Sequence, residues 1–150
     1  MLALGRARRV AALVVLRLSL PSRLAREPLD SLLASLTPLP ACTLTSARAV
    51  QSLKRDVLRT EFAVRHVPGI AGTCLYRALA RYAVLRQTGI DATFVMGVGP
   101  RGVDDEGHAW VEVEGKPFEE PDGVGRYAVT YRYPPAPNTC KPVHSERHAR

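Results

Sequence analysis

Two side chains in this sequence have the types and surroundings needed for covalent chemistry: Cys74 and His108. A thiolate is a strong nucleophile, and an imidazole can take its proton and hand one to a leaving group. Cys74 lies in Gly72-Thr73-Cys74-Leu75-Tyr76-Arg77-Ala78-Leu79, at the head of an amphipathic pattern. Leu75, Ala78, Leu79, Tyr82 and Leu85 recur at helical spacing, while Arg77, Arg81 and Arg86 fall elsewhere on the wheel. Gly72 offers a flexible approach and Thr73 a capping hydroxyl. A thiol so placed meets the positive end of the helix dipole, which favours the thiolate. A lone cysteine is more often a small core residue, so the weight falls on what accompanies it.

His108 opens the alternating run His108-Ala109-Trp110-Val111-Glu112-Val113, directly after the turn-rich loop of residues 99–107. Strand alternation puts His108, Trp110 and Glu112 on one face and Ala109, Val111 and Val113 on the other. His108 is the candidate base, and Trp110 beside it would help exclude water. Glu114-Gly115 reads as a hairpin turn, with Lys116 to Glu120 as a short return strand. That return brings Glu120 alongside His108, where a carboxylate would orient the imidazole and support its charged form. Glu119 would face the other side of a regular strand. Asp122 is the alternative if the strand ends early.

The elements that position these groups can be read outward from Cys74. Ahead of it, residues 1–20 begin basic with Arg6, Arg8 and Arg9 and turn apolar from Val10. The outline is that of a signal peptide, but Arg17 interrupts the apolar run and Pro21-Ser22-Arg23 is no small-residue cleavage site. The apolar run is also too short to span a bilayer, so a basic amphipathic helix is expected instead. Asp30 to Leu36 makes two helical turns before Pro38 stops them. Thr45 to His66 is helical again, with Ala49, Val50, Leu53, Val57, Leu58 and Phe62 sharing a face until Val67-Pro68-Gly69 breaks it. After the Cys74 helix, Gln87-Thr88-Gly89 reads as a helix end. Ile90 to Val98 then alternates as a strand, with Ala92, Phe94, Met96 and Val98 on one side. A further strand is expected over Tyr127 to Tyr133, and an antiparallel meander as the sheet. The fold class is α+β, with N-terminal helices and a nucleophile-bearing helix packed on a small antiparallel sheet. The expected organisation is a basic helical part (1–66), a catalytic core (67–133) and a Pro-rich tail (134–150), in one compact domain.

Composition narrows the function classes. The chain has 150 residues, 46% of them hydrophobic, enough for one globular core. Cys42, Cys74 and Cys140 are widely spaced and form no CxxC pair, so neither a disulfide framework nor a zinc site is expected. His144 and His148 in the tail read as surface residues, and no cofactor is expected. A reducing, cytoplasmic setting is the simplest reading. The net charge of +7 belongs entirely to residues 1–60, which hold ten basic and three acidic side chains. No aromatic residues interleave with that charge, so nucleic-acid binding is not expected; nor is membrane association, the apolar run being short and interrupted.

The motifs carry a resemblance. Cys74-Leu75-Tyr76-Arg77-Ala78-Leu79-Ala80, the Leu85-Arg86-Gln87-Thr88-Gly89-Ile90 helix end, Val95-Met96-Gly97-Val98 and His108-Ala109-Trp110-Val111-Glu112-Val113-Glu114-Gly115 follow in that order. Together, over roughly residues 70–122, they resemble the transglutaminase-like cysteine proteases of lasso-peptide biosynthesis. The resemblance implies a papain-like core with a Cys-His-Asp triad, matched here by Cys74 and His108, with Glu120 where that family usually has aspartate. It further implies leader removal from a ribosomally made precursor peptide, a separate leader-recognition protein, and a lasso cyclase that acts next. Two other functions share these residues: a transglutaminase-like amidase or acyltransferase, and a non-catalytic peptide-binding subunit that keeps the fold.

Overall fold

The computed structural model describes residues 2–37, 47–65, 73–100, 107–120 and 123–134. Four helices come in the order α1 (Leu2–Leu24), α2 (Leu29–Leu36), α3 (Ala47–Arg65) and α4 (Cys74–Gln87). The strands are β1 (Ala92–Val98), β2 (Gly107–Val113), β3 (Lys116–Pro117) and β4 (Ala128–Tyr133), with one 3-10 turn at Val124–Arg126. The helices pack on a four-stranded antiparallel sheet, so the fold is α+β. Cys42, Cys140, His66, Asp122, the Val67-Pro68-Gly69 break and the tail from residue 135 lie outside the described residues.

The central element is α4. It packs on β1 and β2 on one side and on α1 and α2 on the other. Every residue from Ala78 to Leu85 is therefore buried, Arg81 included. This corrects the expectation that Arg81 lies off the apolar face: a helix covered all round has no free polar face to offer. Its end follows expectation. Gly89 takes a left-handed φ of 79°, and the Ile90 N–H reaches back to the Leu85 carbonyl at 2.9 Å, a Schellman closure.

The flanking helices differ in detail from the periodicity. Helix α1 runs past Leu20 and takes Pro21 inside it, carrying fully buried Leu20 and partly buried Leu24 onto the core. On α3 the apolar face is narrower than expected. Leu53 and Val57 are buried and Asp56 with them, whereas Leu58 and Phe62 point outward. The side chains of Ala49 and Val50, expected on the same face, lie outside the described residues.

The sheet order is β3-β2-β1-β4, not a simple meander. Glu114 and Gly115 both adopt left-handed φ, 52° and 72°, as a tight two-residue hairpin turn requires. The return strand covers only Lys116–Pro117 rather than extending to Glu120, so it offers little for a fourth strand to pair with. Instead β4 crosses to the far edge and pairs with β1. Aromatic packing accounts for that choice. Tyr131 and Tyr133 of β4 meet Phe94 and Tyr82 edge-on, with ring centroids 6.2 Å apart in each pair.

Tyr82 is fully buried and its hydroxyl lies 2.6 Å from Thr37 Oγ1, tying the end of α2 to α4. Burial raises the Tyr82 hydroxyl above the ordinary tyrosine value, against a lowering by the Thr37 hydrogen bond. Burial also raises Tyr131, and its hydrogen bond to Asp30 and that residue's charge raise it further. In the unfolded chain both ionise near about pH 10. Their stabilising contribution is therefore complete below that value and is lost as pH rises toward the folded values. Urea-unfolding midpoints taken from about pH 8 to about pH 11 should fall at the alkaline end, and Tyr82→Phe with Tyr131→Phe should flatten that fall.

Candidate active site

Cys74 is the first residue of α4, and Thr73 caps the helix. The Thr73 hydroxyl accepts from the Tyr76 N–H at 3.4 Å, and the Thr73 carbonyl takes the Arg77 N–H at 3.1 Å. The Cys74 N–H, in the first turn, has no acceptor within the helix. Its thiol is half-buried and faces the start of β2, with Sγ 3.9 Å from the Gly107 carbonyl oxygen. The next residue along that strand is His108.

The His108 imidazole sits in a cluster of rings. Its centroid is 4.9 Å from Tyr127 and 5.9 Å from Trp110, both close to parallel. Trp110 is buried, and its indole N–H donates to Glu112 at 3.1 Å. Glu112 is held in turn by Arg132 at 2.6 Å. So His108, Trp110 and Glu112 do share one face, as alternation implies, and each supports the next. Gly97 lies across from His108 in β1. A Cβ there would come within 2.9 Å of the Ala128 carbonyl oxygen, 3.0 Å of Tyr127 and 3.1 Å of the Trp110 ring. The β1–β4 register also shifts between Met96 and Gly97. Such a bulge re-aims the strand beyond it, here the stretch that leads to Tyr127.

Glu120 meets the imidazole from the other side, with Oε2 3.3 Å from His108 Nε2. Its side chain is 4% exposed. The route differs from a regular return strand. The β2–β3 register pairs Glu112 with Pro117 and Val113 with Lys116. Continued regularly, it would set Glu120 opposite Ala109, on the face away from His108, and Glu119 on the His108 side. The ladder ends instead, and Glu119 takes a left-handed φ of 53°. Glu120 then reaches His108 while Glu119 pairs with Lys54 at 2.5 Å.

That irregular segment is held by Arg81. Its Nη1 donates to the carbonyls of Phe118 and Glu119 at 3.1 and 3.2 Å and to Glu120 Oε1 at 2.6 Å. Its Nε and Nη2 form a bidentate pair with Glu61 of α3 at 2.6 and 2.8 Å. Burial works to lower the Arg81 guanidinium, but the Glu61 hydrogen bonds and the charges of Glu61, Glu120 and Glu119 outweigh it and raise it overall. Arg77 lies 3.5 Å from Glu120 Oε2, the oxygen that also meets His108.

The structure thus brings His108 and Glu120 into contact and sets Cys74 against the residue before His108. Sequence reasoning did not find Tyr127, Gly97, Arg81 or Glu61. For Arg81 a signal was present: it lies two helical turns beyond Cys74 on nearly the same line of the wheel. No group of three or more His, Cys, Asp or Glu among the described residues is placed to hold a metal ion. Among those residues, too, no helix is long and apolar enough to cross a membrane.

A helix-borne thiol set against the strand that carries a carboxylate-held imidazole is a Cys-His-acid constellation on an α+β core. The chain belongs to the transglutaminase-like superfamily, whose domain model matches residues 4–132. That superfamily is typically cysteine-peptidase-like. No curated protein and no solved structure matches the chain.

Gly97 is where the ring cluster is most exposed to a single-atom change. Gly97→Ala should destabilise the protein by about 1–3 kcal/mol, because backbone has to move to admit the methyl group. Trp110 is the chain's single tryptophan, so its emission should shift in the folded variant. An unchanged emission spectrum and unfolding midpoint would show that the contact is slack.

Proposed function

We propose that the chain is a cysteine peptidase that removes the leader from a ribosomally synthesised lasso-precursor peptide by acyl-enzyme hydrolysis. The observation that carries the chemistry is the pairing of His108 Nε2 with buried Glu120, beside a thiol at the start of α4. The choice of substrate rests on the resemblance of the Cys74 and His108 motifs to leader peptidases of that pathway. In this reading Cys74 Sγ attacks the leader carbonyl carbon and forms a tetrahedral intermediate. His108, with Nε2 turned to Glu120, uses Nδ1 to take the thiol proton and give it to the leaving amine. The C–N bond breaks and a thioester remains. Water, deprotonated by His108, then attacks the thioester and releases the carboxylate and the free thiol. The Cys74 N–H at the helix start supplies one donor to the oxyanion. Glu120 keeps the imidazole in the right tautomer and offsets its positive charge.

The precursor's leader, a leader-recognition protein and a downstream lasso cyclase are the partners this reading requires. A cytoplasmic setting, where thiols stay reduced, suits it.

The test is cleavage of a candidate precursor in the presence of its recognition protein. Cys74→Ala and His108→Ala should abolish cleavage. Glu120→Gln should lower kcat/KM on the order of 100-fold or more, by loss of the charge facing the imidazolium. Cleavage that survives Cys74→Ala sinks the nucleophile assignment, and an active Glu120→Gln beside a dead Asp122→Asn would move the third role to Asp122.

A further inference from the structure

We propose that Arg81 is the residue that positions Glu120 on His108, with Glu61 of α3 as its anchor. The proposal rests on the Cys74–His108–Glu120 reading above and extends it to two residues that touch neither substrate nor thiol.

A carboxylate on a long side chain does not orient an imidazole unless its own rotation is stopped. Arg81 stops it by holding Oε1 at 2.6 Å, which leaves Oε2 for His108 Nε2. The same Nη1 takes the Phe118 and Glu119 carbonyls. These belong to the bend where the β3 ladder ends, so one guanidinium edge fixes both the backbone and the carboxylate of residue 120. A left-handed non-glycine residue in that bend is unfavourable by itself and persists only where its surroundings over-determine it.

The other edge of Arg81 is fixed as well. Nε and Nη2 meet both oxygens of Glu61, a planar fork that only arginine can supply. Glu61 also shares the charge. Arg81 is thereby shared between two carboxylates rather than paired with Glu120 alone. Arg77 cannot replace Arg81, because it lies 3.5 Å from Oε2, competes there with His108, and is a third exposed. The charged groups around the array are Arg17 on α1, Lys54 and Glu61 on α3, Arg77 on α4, and Glu119 and Glu120 after β3. His108 itself faces Glu120, Tyr127 and Trp110.

The experiment reads the Cys74–His108 pair directly, without a peptide substrate. The full-length chain is alkylated with iodoacetamide at about pH 6 and about pH 9, and modification of Cys74 is followed by peptide mass analysis. At about pH 6 the wild type should react at Cys74 at least about tenfold faster than His108→Ala, because a base beside a thiol can take its proton. Arg81→Lys and Glu61→Gln should lose most of that excess while matching the wild-type rate at about pH 9, where a free thiol ionises unaided. A purely structural role would shift the melting temperature and leave the ratio of the two rates alone. Folding is checked by circular dichroism. If the buried Arg81→Lys variant does not fold, Glu61→Gln, changed at a more exposed partner, decides alone. Folded variants that keep the wild-type rate at the lower pH overturn the proposal while leaving the triad standing. A wild type no faster than His108→Ala overturns the Cys–His pair, and this proposal with it.

Discussion

The structure depends most on a buried guanidinium. Arg81 lies in the middle of the most enclosed helix, 3% exposed, and its charge has to be met inside the protein. Removing one partner from such a buried pair typically costs about 3–5 kcal/mol, because the other charge is left without water or counter-ion. Glu61 from α3 and Glu120 from the segment after β3 therefore come to α4, and the Phe118 and Glu119 carbonyls come with them. One desolvated cation thus brings together a helix of the N-terminal layer, the central helix and the end of the hairpin. The carboxylate on His108 is a product of that convergence.

A second constraint acts on the opposite side of the imidazole. Three rings and one missing side chain share a small space: His108, Trp110, Tyr127 and Gly97. Trp110 is pinned through its indole N–H by Glu112, and Glu112 by Arg132 of β4. Tyr127 enters through the chain just ahead of β4. The far-edge pairing of β4 with β1 is what delivers both Tyr127 and Arg132, so the departure from a meander is tied directly to the site. His108 is held between an ionic network on the α4 side and an aromatic one from β4.

Much of this was legible in the residues. The α4 start at Cys74, the β1 and β2 alternations, the Glu114-Gly115 turn and the places of Cys74 and His108 at the heads of α4 and β2 follow from local rules. What was not legible depends on distant partners. Arg81 reads as a surface residue until two further helices and a sheet enclose its helix. Nothing in Ala128–Tyr133 says which edge it will join, because that is decided by rings on other elements. Glu120 is the instructive case. Strand regularity, applied with the observed register, favours Glu119 for the imidazole, and only the left-handed turn at Glu119 exchanges the two. That turn is held by Arg81, so the irregularity and the burial that hid it have one cause.

The spacing of the three groups along the chain has a consequence for how the protein is made. His108 and Glu120 are 12 residues apart on one hairpin, a short loop to close. The thiol is 33 residues from the backbone it faces and arrives only when α4 docks on the sheet. Cys74 emerges from synthesis well before His108 exists, at the head of a helix with no strand to face. Assembly order thus keeps the thiol apart from the ring and carboxylate in an unfinished chain. The arrangement of Cys74, His108 and Glu120 becomes a property of the completed tertiary structure, absent from every fragment that leads to it.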